Sequence, residues 1–469
     1  MRAPTLFLAL SLAVAAVGCV TRDAPRAAVP APAMPDTWRG SSAPVSLSPP
    51  AAWLGDLGDP GLTALVREAL AANPGIEAAL ARVAAGRARA DIAGAGELPN
   101  AALNLRTARG QRLVNGLELT GNNFELNLGA SWELDLWQRL AARTRAAVAD
   151  AVALERDWQA SRLILAADVA VAWYGAAEAR LQTQLAEQRV SSFRDTLDVI
   201  TERYREGLVE ALDVRLAREN LATAEAGLNA ERRAFDAARR GLEVLLGRYP
   251  AGELAVLADL PEPSRAVPAG LPSTLLDRRP DILAAALRVD ASAARSTDAS
   301  RNRLPGFALT ANGGTASTRL RDLLDWDNLV WSLAASIAQP LFQGGRLKAE
   351  ETLARANDRE ALANYARTVL TAFREVETTL AAEPLLEAQV ASQSEAALEA
   401  SAAATLALER YRAGLTEIIT LLDTQRRAFN TESARIETRL RRLQNRIELY
   451  RALGGDFDDA PTPTAEPST

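Results

Sequence analysis

Glu-Arg-Tyr-Arg-x-Gly-Leu occurs twice in this chain, at Glu202–Leu208 and at Glu409–Leu415. Long helical sequence precedes each copy, and helix-forming sequence of more than thirty residues follows it. The motif marks a place where one long helix stops and another begins, and it does so twice. Other landmarks repeat with it. Asn73-Pro74-Gly75-Ile76 and Arg279-Pro280-Asp281-Ile282 each open a helical stretch, and Pro74 and Pro280 are 206 apart, as are Pro99 and Pro305. Ala78, Ala79, Arg82 and Val83 return as Ala284, Ala285, Arg288 and Val289. Leu136-Trp137-Gln138 is answered by Leu341-Phe342-Gln343. The second copy then inserts Gly344-Gly345 before Arg346-Leu347, which answers Arg139-Leu140. Glu202 and Glu409 are 207 apart. A near-constant shift means two copies of one design, 61–247 and 274–455. Residues 248–273, with five prolines, read as a linker or equatorial segment, and 456–469 as a disordered tail.

Inside each half the apolar period switches from helical to two. Phe124, Leu126, Leu128, Ala130, Trp132, Leu134 and Leu136 alternate with Glu125, Asn127, Gly129, Ser131, Glu133 and Asp135. Leu103 and Leu105 alternate with Asn104 and Arg106. In the second half Phe307 and Leu309 stand against Thr310 and Asn312, and Leu329, Trp331, Leu333 and Ile337 alternate with smaller residues. Soluble hairpins with one wet face would show the same alternation. Runs of about ten residues, with Gly129, Ser131 and Glu133 on one face, suit tilted membrane strands around a watery lumen. Four strands cannot close a barrel, because the smallest bacterial ones need about eight, so an oligomer would have to complete it.

The long helices are unusual in a different way. Gln138 to Tyr204 holds no Pro and a single Gly, enough for one helix of roughly 100 Å, and Lys348 to Tyr411 repeats it with a kink expected at Pro384. In the returning helices the spacing becomes seven: Val214, Leu221, Leu228, Phe235 and Leu242, then Leu422, Phe429, Ile436, Leu443 and Tyr450. That repeat predicts left-handed coiled-coil pairing with the preceding helix.

Composition removes several functions. With 53 basic and 59 acidic residues interspersed and a formal charge of −6, no basic face for nucleic acid is expected. His is absent and Cys19 is the only Cys, so a His-based triad, a His/Cys zinc site and a disulfide framework within one chain are excluded. No pattern in the sequence points to a cofactor, a metal or an enzyme, although paired carboxylates leave a cell-wall hydrolase as a remote reading. The apolar run Leu6–Val17 after Arg2 has signal-peptide length, and Ala16-Val17-Gly18-Cys19 resembles a bacterial lipoprotein box, with Ala16 where Leu is usual. This predicts a signal peptide at 1–18 and a lipidated Cys19, palmitate included, leading a Pro/Ala-rich tether at 19–60.

Taken in order, Trp132-Glu-Leu-Asp-Leu-Trp137, Arg279-Pro-Asp-Ile282, Gln339-Pro-Leu-Phe-Gln-Gly-Gly345, Ala372-Phe-Arg-Glu-Val376 and the twin tips resemble the TolC-like outer-membrane efflux channel family, lipoprotein branch. The resemblance spans Trp53 to Gly455. It implies a mainly α fold with membrane β: a duplicated helix–β-hairpin–long-helix repeat, trimerising into a twelve-stranded β-barrel on a long periplasmic α-helical barrel. It implies localisation in the bacterial outer membrane, lipid-anchored and reaching into the periplasm. The implied role is the passive exit duct of a tripartite efflux pump, with antibiotic resistance among its outcomes. The implied partners are two further copies of the chain, a periplasmic adaptor, an inner-membrane resistance-nodulation-division transporter and outer-membrane lipid. Gly207, Leu208, Gly414 and Leu415 are then adaptor-docking tips. Ile419, Asp423 and Arg426 match a periplasmic gate, and Tyr411 and Asp213 match positions that tie neighbouring hairpins shut. Thr416 and Thr420 depart from TolC itself, where an Arg and a second Asp stand. The competing reading is a periplasmic coiled-coil scaffold lipoprotein without channel activity.

Overall fold

In a computed structural model the described residues are 37–40, 53–114, 117–263, 267, 270 and 272–455. The expected signal peptide, Cys19, most of the tether and the tail lie outside them. Among the described residues, the helices longer than one turn are α1 (Pro60–Ala72), α2 (Pro74–Ala95), α3 (Arg139–Arg205), α4 (Ala211–Leu245), α5 (Pro280–Arg301), α6 (Arg346–Arg412) and α7 (Ile418–Ala452). The strands are β1 (Asn100–Val114), β2 (Leu117–Leu134), β3 (Gly306–Ser317) and β4 (Leu329–Ala338). The duplication is kept element by element. α2 and α5 have 22 residues each, α3 and α6 have 67, and α4 and α7 have 35. Pro384 lies inside α6 without ending it.

The chain divides into two compact units. The first contains the sheet and the helical segments beside it. Its four strands run antiparallel in the order β1-β2-β3-β4, leaving β1 and β4 as open edges among the described residues. Register fixes the two faces. Leu103 pairs with Leu128, Leu128 with Gly313 and Gly313 with Trp331; Trp132 pairs with Leu309, and Phe307 with Ile337. This face is apolar and largely exposed. The opposite face aligns Ala102, Gly129, Asn312 and Ser332, then Asn104, Asn127 and Gly314, then Ser131 and Thr310. Asn127 Nδ2 donates to Asn312 Oδ1 at 3.3 Å there. The alternation seen in the sequence is thus one sheet with a greasy side and a wet side.

The Trp132–Trp137 motif makes the passage from strand to helix. Trp132 donates to the Glu97 carbonyl at 2.9 Å, and Trp137 to the Pro305 carbonyl at 2.7 Å. Asp135 accepts from the backbone of Arg139 (2.6 Å) and Ala141 (2.8 Å), capping α3, while Arg139 pairs with Glu133 at 2.7 Å. Gln138, the residue just before α3, sits at φ 54°, and its counterpart 207 residues on, Gly345, at φ 85°. The Gly344-Gly345 insertion therefore supplies, without side-chain strain, the left-handed residue that Gln138 supplies with it.

The second unit holds the returning helices and both tips. Of the seven-residue series, Val214, Leu242, Leu422, Ile436, Leu443 and Tyr450 are buried, whereas Leu221, Leu228, Phe235 and Phe429 are half-buried. Residues 248–273 are more than a linker. Leu260 and Val267 are buried, Arg180 donates to the Val256 (3.0 Å) and Leu257 (3.2 Å) carbonyls, and Arg439 holds Asp259 at 2.9 Å. Glu243 accepts from the backbone N–H groups of Gly252, Glu253 and Leu254, which hold its carboxyl below the usual range despite burial. The two Pro motifs share one task. Asn73 donates to the Leu245 carbonyl at 2.9 Å, and Arg279 to the Ala452 carbonyl at 3.2 Å, the last residues of α4 and α7. Arg279 also forks onto Asp281 (3.0 and 2.7 Å) and reaches Glu375 at 2.7 Å, joining two of the family-like motifs.

Candidate functional site: the paired helical tips

Each tip is a helix stop with six-to-one and five-to-two backbone bonds. Leu208 N–H reaches the Arg203 carbonyl (2.9 Å) and Gly207 N–H the Tyr204 carbonyl (3.0 Å). Leu415 and Gly414 do the same with Arg410 (2.8 Å) and Tyr411 (3.0 Å). Both glycines adopt φ +74°, which an L side chain resists. Leu208 and Leu415 are exposed beside them, leaving an apolar residue on each tip. Arg205 and Arg412 close the last turns, where a cation suits the helix dipole.

Identical sequence then meets different surroundings. Tyr204 is 47% exposed, whereas its counterpart Tyr411 is 3% exposed. Tyr411 packs in a cluster with Ile200, Val214, Ala217, Ala407, Ile418, Leu421 and Leu422, so helices of both hairpins share one core. Arg203 clasps the second tip: Nη1 donates to the Tyr411 (2.7 Å) and Arg412 (3.2 Å) carbonyls, and the guanidinium lies 5.1 Å over the Tyr411 ring. Its counterpart Arg410 is exposed. The Tyr411 hydroxyl is buried without a hydrogen-bond partner within the protomer. Burial raises its pKa, against the lowering effect of the Arg203 guanidinium, and the Asp213 carboxylate adds to the rise.

Ile419, Asp423 and Arg426 lie on the less buried side of α7, while Ile418, Leu421, Leu422 and Gln425 turn inward. Arg426 donates to Asp423 at 3.0 Å and Arg427 to it at 2.7 Å. The Arg426 hydrogen bond, helped by Arg427, holds the Asp423 carboxyl below the usual range. Deeper in, Gln425 Nε2 donates to Thr196 Oγ1 (2.9 Å) and Ser192 Oγ (3.3 Å), and Phe193 meets Phe429 edge-on at 6.0 Å. Arg189 stacks 5.6 Å over Phe193, its pKa lowered by burial and then by Arg426. Arg203 and Gln425 were given no role from sequence. Arg203 sits in the repeated motif, but repetition gives no sign that only one copy is used. Among the described residues no group of three His, Cys, Asp or Glu could hold a metal ion.

Comparison with known proteins agrees with this architecture. The family model described as outer membrane efflux protein matches residues 65–248 and 271–455. The pyoverdine export outer membrane protein OpmQ of Pseudomonas putida is 30% identical over 478 residues, covering 98% of this chain and 100% of that protein. Outer membrane protein OprJ of Pseudomonas aeruginosa is 31% identical, with 98% of each chain covered. The toluene efflux pump outer membrane protein TtgF of Pseudomonas putida is 32% identical over 86% of this chain and 84% of its own length. Among solved structures, the outer-membrane channel OprN superposes with a TM-score of 0.86 at 27% identity, covering 94% of this chain and 100% of that one. The open MtrE outer membrane channel of Neisseria gonorrhoeae gives 0.82 at 28% identity, over 93% and 99%. A duplicated repeat of long helices, a four-stranded sheet with one greasy face and these relatives lead to one conclusion: the chain belongs to the outer membrane efflux protein family, the outer-membrane channels of tripartite pumps.

Proposed function

We propose that three copies of this chain close a twelve-stranded barrel in the outer membrane, standing on a helical cylinder whose tips gate the periplasmic entrance. The observation that carries the reading is the sheet: apolar on one face, polar on the other, and unpaired along β1 and β4. A soluble sheet would cover its greasy face, and a finished one would cover its edges. Closure by symmetry does both at once. Transport is passive, without catalytic turnover. A lipid on Cys19 would add an anchor, and the exposed Leu208 and Leu415 would meet a periplasmic adaptor coupled to an inner-membrane transporter. The cargo class is small diffusible molecules, in line with the pyoverdine, toluene and solvent named for relatives.

For the gate, three-fold symmetry turns Asp423, paired with Arg426 and Arg427, into a ring of ion pairs at the entrance, with Ile419 one turn nearer the tip. Arg203 is a positioning residue that holds the second hairpin's turn against the first. Planar-bilayer recording of the purified trimer tests both levels. The channel reading requires conductance, and a folded trimer without it would leave the scaffold reading. The gate reading requires Asp423→Ala with Arg426→Ala to raise single-channel conductance, and unchanged conductance would refute it.

A further inference from the structure

The β3–β4 connection, residues 318–328, is folded and hydrogen-bonded within itself. Two short 3-10 turns, Leu320–Asp322 and Trp326–Asn328, are joined by backbone bonds from Asp322 to Arg319 (3.1 Å), Asp325 to Asp322 (3.3 Å) and Asn328 to Asp325 (3.1 Å). Asn328 Nδ2 donates to the Asp322 carbonyl at 2.9 Å, Asp325 accepts from Asp327 N–H at 3.1 Å, and Arg319 pairs with Asp322 at 2.6 Å. Yet the loop presents Leu320, Leu324 and Trp326 at 61%, 77% and 78% exposure. Hydrogen-bonded turns are ordinary in water, but a loop bathed in it gains nothing by displaying three large apolar groups. A segment at the edge of hydrocarbon needs both features, with Trp favoured at that boundary.

The loop also lies on the appropriate side. Register places Thr315 on the greasy face, opposite Leu126 and Leu329. The Thr315 hydroxyl donates to the Leu323 carbonyl, and Thr315 and Leu323 are both buried. The loop therefore folds back over the outward face of the sheet, continuous with the surface that meets lipid. Height supplies the reason. The apolar positions of β4 run from Leu329 to Ile337, eight steps or about 26 Å along the strand. At a tilt of 35–45° that is ~20 Å, short of a hydrocarbon band of about 25 Å. On β2, Phe124 to Leu134 gives ten steps and reaches about 25 Å at the same tilt. At the far end of β3 the greasy face has only Gly313, Thr315 and Ser317. The second hairpin alone is too short, and the loop makes up the difference.

We propose that residues 320–326 form a platform seated in the outer-leaflet interface, with Leu320, Leu324 and Trp326 packed against lipid. The test compares wild-type trimer with Trp326→Phe in vesicles of phosphatidylcholine brominated near the headgroup or near the chain ends. The fluorescence component lost in the variant reports Trp326. It is expected to be quenched about twofold more by the shallow bromines than by the deep ones, and to be insensitive to aqueous iodide. Quenching by iodide alone would place the loop in water. Quenching by neither would mean that a neighbouring copy covers it, and either result overturns the proposal. Leu324→Cys carrying a polarity-sensitive dye keeps the tryptophan. Its emission should shift to the blue in vesicles, and a water-like emission counts against the platform.

Discussion

Arg279 and Asn73 cap equivalent carbonyls at the ends of α7 and α4, but they do so with different chemistry. Replacing Asn73 by Ala removes a neutral hydrogen bond and a contact to the exposed Gly75 N–H, a loss of about 1 kcal/mol. Replacing Arg279 by Met keeps apolar volume but removes a fork on Asp281, a bond to Glu375 and the cap itself. Breaking a buried ion pair costs about 3–5 kcal/mol. Glu375 and Asp281 retain 28% and 39% of their side-chain exposure, so water recovers part, leaving about 3 kcal/mol. The gap of about 2 kcal/mol is roughly thirtyfold in the folded-to-unfolded ratio. Guanidinium unfolding of the detergent-solubilised trimer, followed by helical circular dichroism, should give midpoints in the order wild type, Asn73→Ala, Arg279→Met. Arg279→Lys, which keeps the charge but not the fork, should fall between the last two. Equal losses for Asn73→Ala and Arg279→Met would show that the carboxylates contribute nothing beyond the carbonyl cap.

Three further outcomes follow from the geometry. Gly207→Ala meets open space and should cost about 1 kcal/mol of left-handed strain. Gly247→Ala shares φ +74° but would set its Cβ 2.5 Å from the Ala72 carbonyl oxygen, so its loss in thermal melting should be clearly larger. Tyr411→Phe removes an unbonded hydroxyl and should change protomer stability by less than about 0.5 kcal/mol, whereas Tyr411→Ala opens the shared tip core and should cost about 3–5 kcal/mol. Glu243 has a folded pKa held below its unfolded value. Its contribution is therefore fully present above the ordinary Glu value near 4.3 and is lost as pH falls through the lower folded one. The stability gap between wild type and Glu243→Gln should be full at pH 7 and shrink only in that acid range; shrinkage around pH 6 would contradict it.

The repeat, the strand alternation and the seven-residue seams were legible because each is a periodic constraint on burial. Leu128 and Trp331 declared a face, and Leu422, Ile436 and Leu443 a seam, before any contact was known. The Gly-Leu stops were legible for the same local reason, since a helix that must end and reverse asks for a residue at positive φ. What stayed hidden depends on which copy of a duplicated residue lands where. Tyr204 and Tyr411, or Arg203 and Arg410, carry the same letters, and only tertiary packing makes one buried or bonded and the other not. The packed course of 248–263 was hidden too, because Leu260 and the Glu243 nest have no period to betray them. At Pro384 the helix continues, which the expectation of a kink rather than a stop allows.

The two unpaired edges of the sheet also bear on genetics. If each chain can complete its barrel only by lending β1 and β4 to its neighbours, a single faulty copy disables the assembly that admits it. At equal expression of intact chain and a chain that folds but cannot conduct, random mixing leaves about one trimer in eight free of the defect. Tip or lumen mutants that still assemble should therefore behave as dominant, and those that cannot pair should be recessive. Co-expression with an intact copy thereby sorts residues needed for conduction from residues needed for closure.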